Sequence, residues 1–128
     1  MARKLTLVEK QQAFSVCIAE LILWAAYVKG WAITLGEAER PRRLQELYVQ
    51  EKKSKTLSSR HLVRCAMDLF LWIDGEYTTN PNDYSELGLK WEELGRKKDL
   101  PLRWGGRFGD NLATPEIEGW DSVHFEIA

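Results

Sequence analysis

Cysteine is scarce in this chain. It has two in 128 residues, Cys17 and Cys65, each inside an apolar run. With no CxxC pair, a cysteine zinc ribbon is excluded, and two isolated thiols make no disulfide framework. They read as small buried hydrophobes. No charge sign dominates: 18 Lys and Arg stand against 19 Asp and Glu, for a net charge of −1. That excludes recognition of nucleic acid through a global basic field. Long hydrophobic runs are missing too. The longest, Leu21 to Val28, is far too short to span a bilayer, so no membrane partner is expected. The amino-terminal Met-Ala-Arg-Lys-Leu-Thr leads into a pattern carrying Glu9, Lys10 and Glu20, unlike a secretory signal, so the chain is expected to be made in the cytoplasm. There are no repeats and no separating linker, and residues 1–128 are expected to be one domain.

What the chain does have is apolar content (45%) and six Trp with four each of Tyr and Phe, enough for a single core. Thr6-Leu7-Val8-Glu9 fits a capping box. Phe14, Ile18, Leu21, Ala25 and Val28 then recur at helical spacing, predicting a helix over 7–29 that stops at Gly30. Trp31 to Leu35 reads as a strand. Pro41 suits the first turn of a second helix, with Leu44, Leu47 and Tyr48 on its apolar side. A polar loop runs from Glu51 to Arg60. The next strand carries Val63, Cys65, Met67, Leu69, Leu71 and Ile73 on one face and Ala66, Asp68 and Phe70 on the other. Asp74-Gly75 signals a tight turn with a short return arm. Leu87, Trp91 and Leu94 mark a third helix, whose end suits Arg96, Lys97 and Lys98. A Gly-rich loop follows, and Ser122 to Ile127 closes the chain as a strand.

Two residues are out of place in this pattern. Asp68 interrupts a strand that is otherwise nearly all apolar, and His61 stands in the loop before it. A carboxylate in a buried strand is costly unless a cation or strong donors compensate it. A metal would do so, and so would an arginine, with His61 then an ordinary loop histidine. Positions 61 and 68 have opposite strand parity, so joint ligation requires His61 to lie in the loop or a bulge to intervene. The only other histidine, His124, lies in the last strand beside Asp121 and Glu126. Two His and one Asp would make a three-ligand zinc site with one open position, the arrangement of a catalytic zinc. A further carboxylate would then be needed as general base, and Asp121 is a candidate.

At this point the residues resemble a family. Ser59-x-His61-x-x-x-x-Ala66-x-Asp68 is similar to the S-x-H-x-x-G-x-A-x-D motif of the zinc D,D- and L,D-peptidases, with Arg64 where the family has Gly. Asp121-Ser122-Val123-His124-Phe125-Glu126 resembles their closing [D/E]-x-x-H-F-E/Q motif. Trp104-Gly105-Gly106-x-Phe108 resembles the W-G-G-x-[FW] segment before the last ligand. Ile33-Thr34-Leu35-Gly36-Glu37-Ala38-x-Arg40 and Gln45-x-Leu47-Tyr48 resemble the upstream segment that supplies an arginine. The four segments come in the family's order and contain every histidine of the chain.

The resemblance implies an α+β fold of the Hedgehog/D,D-peptidase type, a small, mostly antiparallel sheet with helices packed to one side. It implies Zn2+ held by His61, Asp68 and His124, with Asp121 as general base. Arg40 would steady the scissile carbonyl or a substrate carboxylate, and Ser59 and Trp104 would be substrate contacts. The implied activity is hydrolysis of a peptide bond in the peptidoglycan stem peptide. Asp rather than Glu at the base position resembles the phage L-alanyl-D-glutamate endopeptidases. Such an endolysin would reach the wall after release through the membrane, as a monomer. A D-Ala-D-Ala carboxypeptidase or dipeptidase is the alternative enzyme, and a non-catalytic wall-binding module the alternative outside catalysis. The cysteines are not implied as ligands. Cys17→Ser and Cys65→Ser should each lower the denaturation midpoint, because a hydroxyl enters an apolar setting, and leave zinc content unchanged. Loss of zinc from either variant would reveal a thiolate ligand.

Overall fold

Thr6 opens the first helix, α1 (Leu7–Tyr27), in the expected manner. Its hydroxyl accepts from the Glu9 N–H at 3.2 Å, and the Glu9 carboxylate accepts from the Thr6 N–H at 3.0 Å. This satisfies two of the free amides of the first turn. The computed structural model describes residues 4–38, 47, 50, 60–107 and 121–128, with only the backbone at 61 and 62. Most of the helix expected from Pro41, of which only Leu47 and Gln50 are described, both helical, lies outside the described residues, as do most of the Glu51–Arg60 loop, Arg40, Ser59 and the Gly109–Gly119 segment.

Among the described residues the further elements are β1 (Ala32–Leu35), β2 (Ala66–Ile73), β3 (Glu76–Tyr77), α2 (Ser85–Lys98), β4 (Leu102–Trp104) and β5 (His124–Ile127). The sheet runs β1-β2-β5-β4, with β3 also paired to β2, and every pairing is antiparallel. The fold is therefore α+β, as expected. Asp74 and Gly75 both take positive φ, 53° and 79°, and form the expected hairpin turn between β2 and β3.

The core lies between the two helices and one face of the sheet. Phe14, Cys17, Ile18, Leu21 and Ala25 of α1 are buried, as are Leu87, Trp91 and Leu94 of α2. They join Leu69, Leu71, Phe125 and Ile127 in one cluster. Trp91 is its hub. Its ring meets Phe14 and Phe125 edge-on at 5.7 and 6.0 Å, and its indole N–H donates to the carbonyls of Arg103 and Glu126. By length and composition alone, Leu7–Lys29 is apolar enough to cross a membrane. In the fold its inward stripe is core.

Three segments depart from the sequence-based expectation. The stretch after α2, read as loop, contains β4, whose three residues are too few to show a period. The closing strand begins at His124, because Asp121–Val123 form a turn. Strand β2 begins at Ala66, because Arg60–Val63 form a 3₁₀ turn and Arg64 takes φ 56°. Side chains crowd the backbone in that left-handed region, at a cost of about 1–2 kcal/mol. A glycine would occupy it without that crowding, which gives a physical reason for Gly at this position of the peptidase motif. Arg64→Gly should therefore stabilise the fold by up to about 1 kcal/mol, while Arg64→Val should destabilise it. Chemical denaturation of the three proteins would test this, and equal midpoints for the two variants would contradict it.

Candidate functional site

The antiparallel register of β2 and β5 sets Asp68 opposite His124 and Ala66 opposite Glu126. Arg103 of β4 also lies opposite Glu126. Residues two apart share a face of a sheet. Asp68, His124, Glu126 and Arg103 thus gather on the face turned away from the helices, while Leu69, Phe125 and Ile127 enter the core.

His124 is 4% exposed and is surrounded by carboxylates. Glu126 Oε1 lies 2.7 Å from Nε2. On the other side of the ring, Asp68 Oδ1 and Asp121 Oδ2 lie 3.8 and 3.7 Å from Nδ1. Strict strand alternation would aim Asp121 away from His124. The turn at Asp121–Val123 resolves this, closed by the His124 N–H donating to the Asp121 carbonyl at 3.0 Å and secured to β2 by the Leu69 N–H on the Val123 carbonyl. Gly105 makes room for it, since a Cβ there would collide with the Asp121 carbonyl and meet His124 Cβ at 2.8 Å.

Trp104 takes a different place from the expected one. It is 1% exposed, and its indole N–H donates to the Ser122 carbonyl at 2.7 Å. Its ring lies against Gly88 of α2, where any Cβ would overlap it. A fully enclosed indole has no face left for substrate. The expected substrate contact is replaced by a structural role, in which Trp104 anchors the turn that presents Asp121. The remaining site candidates divide into two groups. Asp68, Asp121 and His124 are brought together. The backbone of His61 lies in the 3₁₀ turn just before β2, so strand parity does not relate it to Asp68, and its side chain is outside the described residues, like Arg40 and Ser59.

The donor chemistry fits a divalent cation. An imidazole nitrogen and a carboxylate oxygen approach within 3.8 Å. Two ligands of one tetrahedral zinc, with bonds of 2.0–2.2 Å, stand about 3.4 Å apart. Among the described residues alone, no group of three His, Cys, Asp or Glu side chains could hold a metal.

The motif resemblance assigns Glu126 no role, although it is 5% exposed and in contact with His124. A signal existed: two polar residues at i and i+2 of a strand share a face, and His124 and Glu126 flank the buried Phe125.

No protein-family model matches the chain, and no curated protein matches it. Among solved structures, it is similar to the L-Ala D-Glu endopeptidase ChiX of Serratia marcescens. The TM-score is 0.67 at 21% identity, over 94% of this chain and 85% of that one. The likeness shows a shared fold.

The electrostatics of His124 make a measurable prediction. Burial opposes its charge, but the carboxylates of Asp68, Glu126 and Asp121 outweigh burial and push its pKa up from 6.5 to about 9. In the metal-free protein the ring should therefore be charged at neutral pH. A raised pKa contributes stability that is fully present below pH 6.5 and lost as pH rises through about 9. An NMR titration of His124 in chelator should show its midpoint near the upper value. An ordinary midpoint would mean that the carboxylates do not act on the ring.

Proposed function

We propose that the chain is a zinc-dependent peptidase that hydrolyses the L-alanyl-D-glutamate bond of the peptidoglycan stem peptide, acting as the endolysin of a phage or prophage. The observation that carries this reading is the turn that brings Asp121 to Nδ1 of His124, on the side where Asp68 also lies. A site for binding alone has no use for a base beside the ligand donors. The fold shared with an L-Ala D-Glu endopeptidase supports the choice of bond, as do the four motif segments.

In this reading His61, Asp68 and His124 would hold the zinc. When bound, zinc supplies a Lewis acid that acidifies water and polarises a carbonyl. Asp121 removes the proton from the attacking water as its oxygen adds to the scissile carbonyl carbon. The same carboxyl returns that proton to the amine nitrogen as the C–N bond breaks. The Asp121 side chain is 31% exposed, so its carboxylate can meet both water and substrate. Arg40 steadies the carbonyl oxygen as it gains charge, and Ser59 contacts substrate. Trp104 has no direct role.

Asp121→Asn keeps size and removes basicity. Cleavage of purified peptidoglycan should fall by about 10²–10⁴-fold, with zinc content intact and substrate binding little changed. His124→Ala should lose zinc and cleavage together, and chelators should abolish activity. The new termini identify the bond: a cut after the first L-alanine is expected, and released D-alanine would point to a carboxypeptidase instead. Near-normal cleavage by zinc-loaded Asp121→Asn would remove Asp121 as the base.

A further inference from the structure

Glu126 is a buried carboxylate that the proposed reaction leaves unused. Its Oε1 lies 2.7 Å from His124 Nε2, and its Oε2 lies 3.6 Å from an Arg103 guanidinium nitrogen. It approaches Nε2, whereas Asp68 and Asp121 approach Nδ1. Burying a carboxylate is costly unless it is paired and hydrogen-bonded. Here Oε1 has a hydrogen-bond partner in the His124 ring and Oε2 an ion-pair partner in Arg103.

We infer that Glu126 is a positioning residue: by accepting the Nε2–H of His124 it fixes the ring's orientation and tautomer, so that the Nδ1 lone pair faces the cleft shared by Asp68 and Asp121. With Oε1 as the acceptor of this contact, Nε2 carries the proton. The neutral ring has one N–H, so Nδ1, the nitrogen that Asp68 and Asp121 approach, then carries the lone pair a metal would take. Arg103 is the ion-pair partner of the other carboxylate oxygen, at 3.6 Å. This pattern, a carboxylate behind a metal-binding imidazole, also raises the basicity of the ligand nitrogen, and losing it typically weakens metal binding about 10–100-fold.

The inference rests on the reading that a divalent cation binds at Nδ1, and the experiment separates the two. Zinc affinity of the whole chain is measured by competition with a chromophoric chelator for wild type, Glu126→Ala and Glu126→Gln. Failure of the wild type to bind zinc would overturn the metal reading and the inference with it. If wild type binds, Glu126→Ala should bind about 10–100-fold more weakly. Glu126→Gln keeps an amide oxygen that can accept the same N–H, and should recover most of the affinity. A folded Glu126→Ala with wild-type affinity would overturn the positioning role while leaving the metal site standing. Should Glu126→Ala fail to fold, long-range ¹⁵N–¹H spectra of the zinc-loaded wild type decide the matter. An Nε2–H tautomer at His124 is expected, and an Nδ1–H tautomer would overturn the inference. A purely structural ion pair would move neither the tautomer nor the metal affinity.

Discussion

The pairing of β2 with β5 is the constraint on which the remainder of the site depends. It sets Asp68 against His124 and, two residues on, Ala66 against Glu126. Because side chains alternate across a strand, a slip of one residue would send His124 into the core and Phe125 out of it. Leu69, Leu71, Phe125 and Ile127, all 0% exposed, hold the register through the apolar face. The polar cluster is thus positioned by hydrophobic burial on the opposite side of the same sheet. Ala66 opposite Glu126 also leaves room for the larger carboxylate on the polar face.

A second constraint acts through Trp104. Its ring packs on Gly88 of α2, and its N–H bonds to the Ser122 carbonyl. Helix, strand β4 and the turn before β5 are therefore joined through one side chain. The turn is what brings Asp121 round to His124, so a residue with no exposed surface bears on how the candidate base is placed. Trp91 has a parallel role deeper in the core, tying α2 to the carbonyls of Arg103 and Glu126. Both indoles combine large apolar area with one satisfied donor, which suits them to such junctions.

The charge arrangement follows from these placements. Asp68, Asp121 and Glu126 surround one buried imidazole, and its pKa rises to about 9 despite the burial. The carboxylates divide by side of the ring: Glu126 at Nε2, Asp68 and Asp121 at Nδ1. The ring is thus in contact with a carboxylate at Nε2 and faces two more at Nδ1.

Much of this was legible in the sequence, and the boundary has a physical cause. Local signals were enough where structure is local: the Thr6–Glu9 capping box, the apolar period of α1 and α2, the turn at Asp74-Gly75, and the two-face pattern that singled out Asp68. The scarcity of histidine directed attention to His124 without any structure. Arg64, standing where the peptidase motif has glycine, became intelligible only with its φ of 56°. Strand β4 was hidden by its three residues. Trp104 looked like a ligand contact because a sequence cannot state on which side of a sheet an indole is enclosed. Glu126 has no role legible in the motifs, because its importance lies in a contact with the ring of His124 and in a cross-strand neighbour, Arg103. The sequence by itself determined the two helices, most of the strands and which titratable side chains were candidates for a site. Only the tertiary structure decided which of them meet, because register, turn geometry and enclosure depend on pairings between residues as far apart as Asp68 and His124.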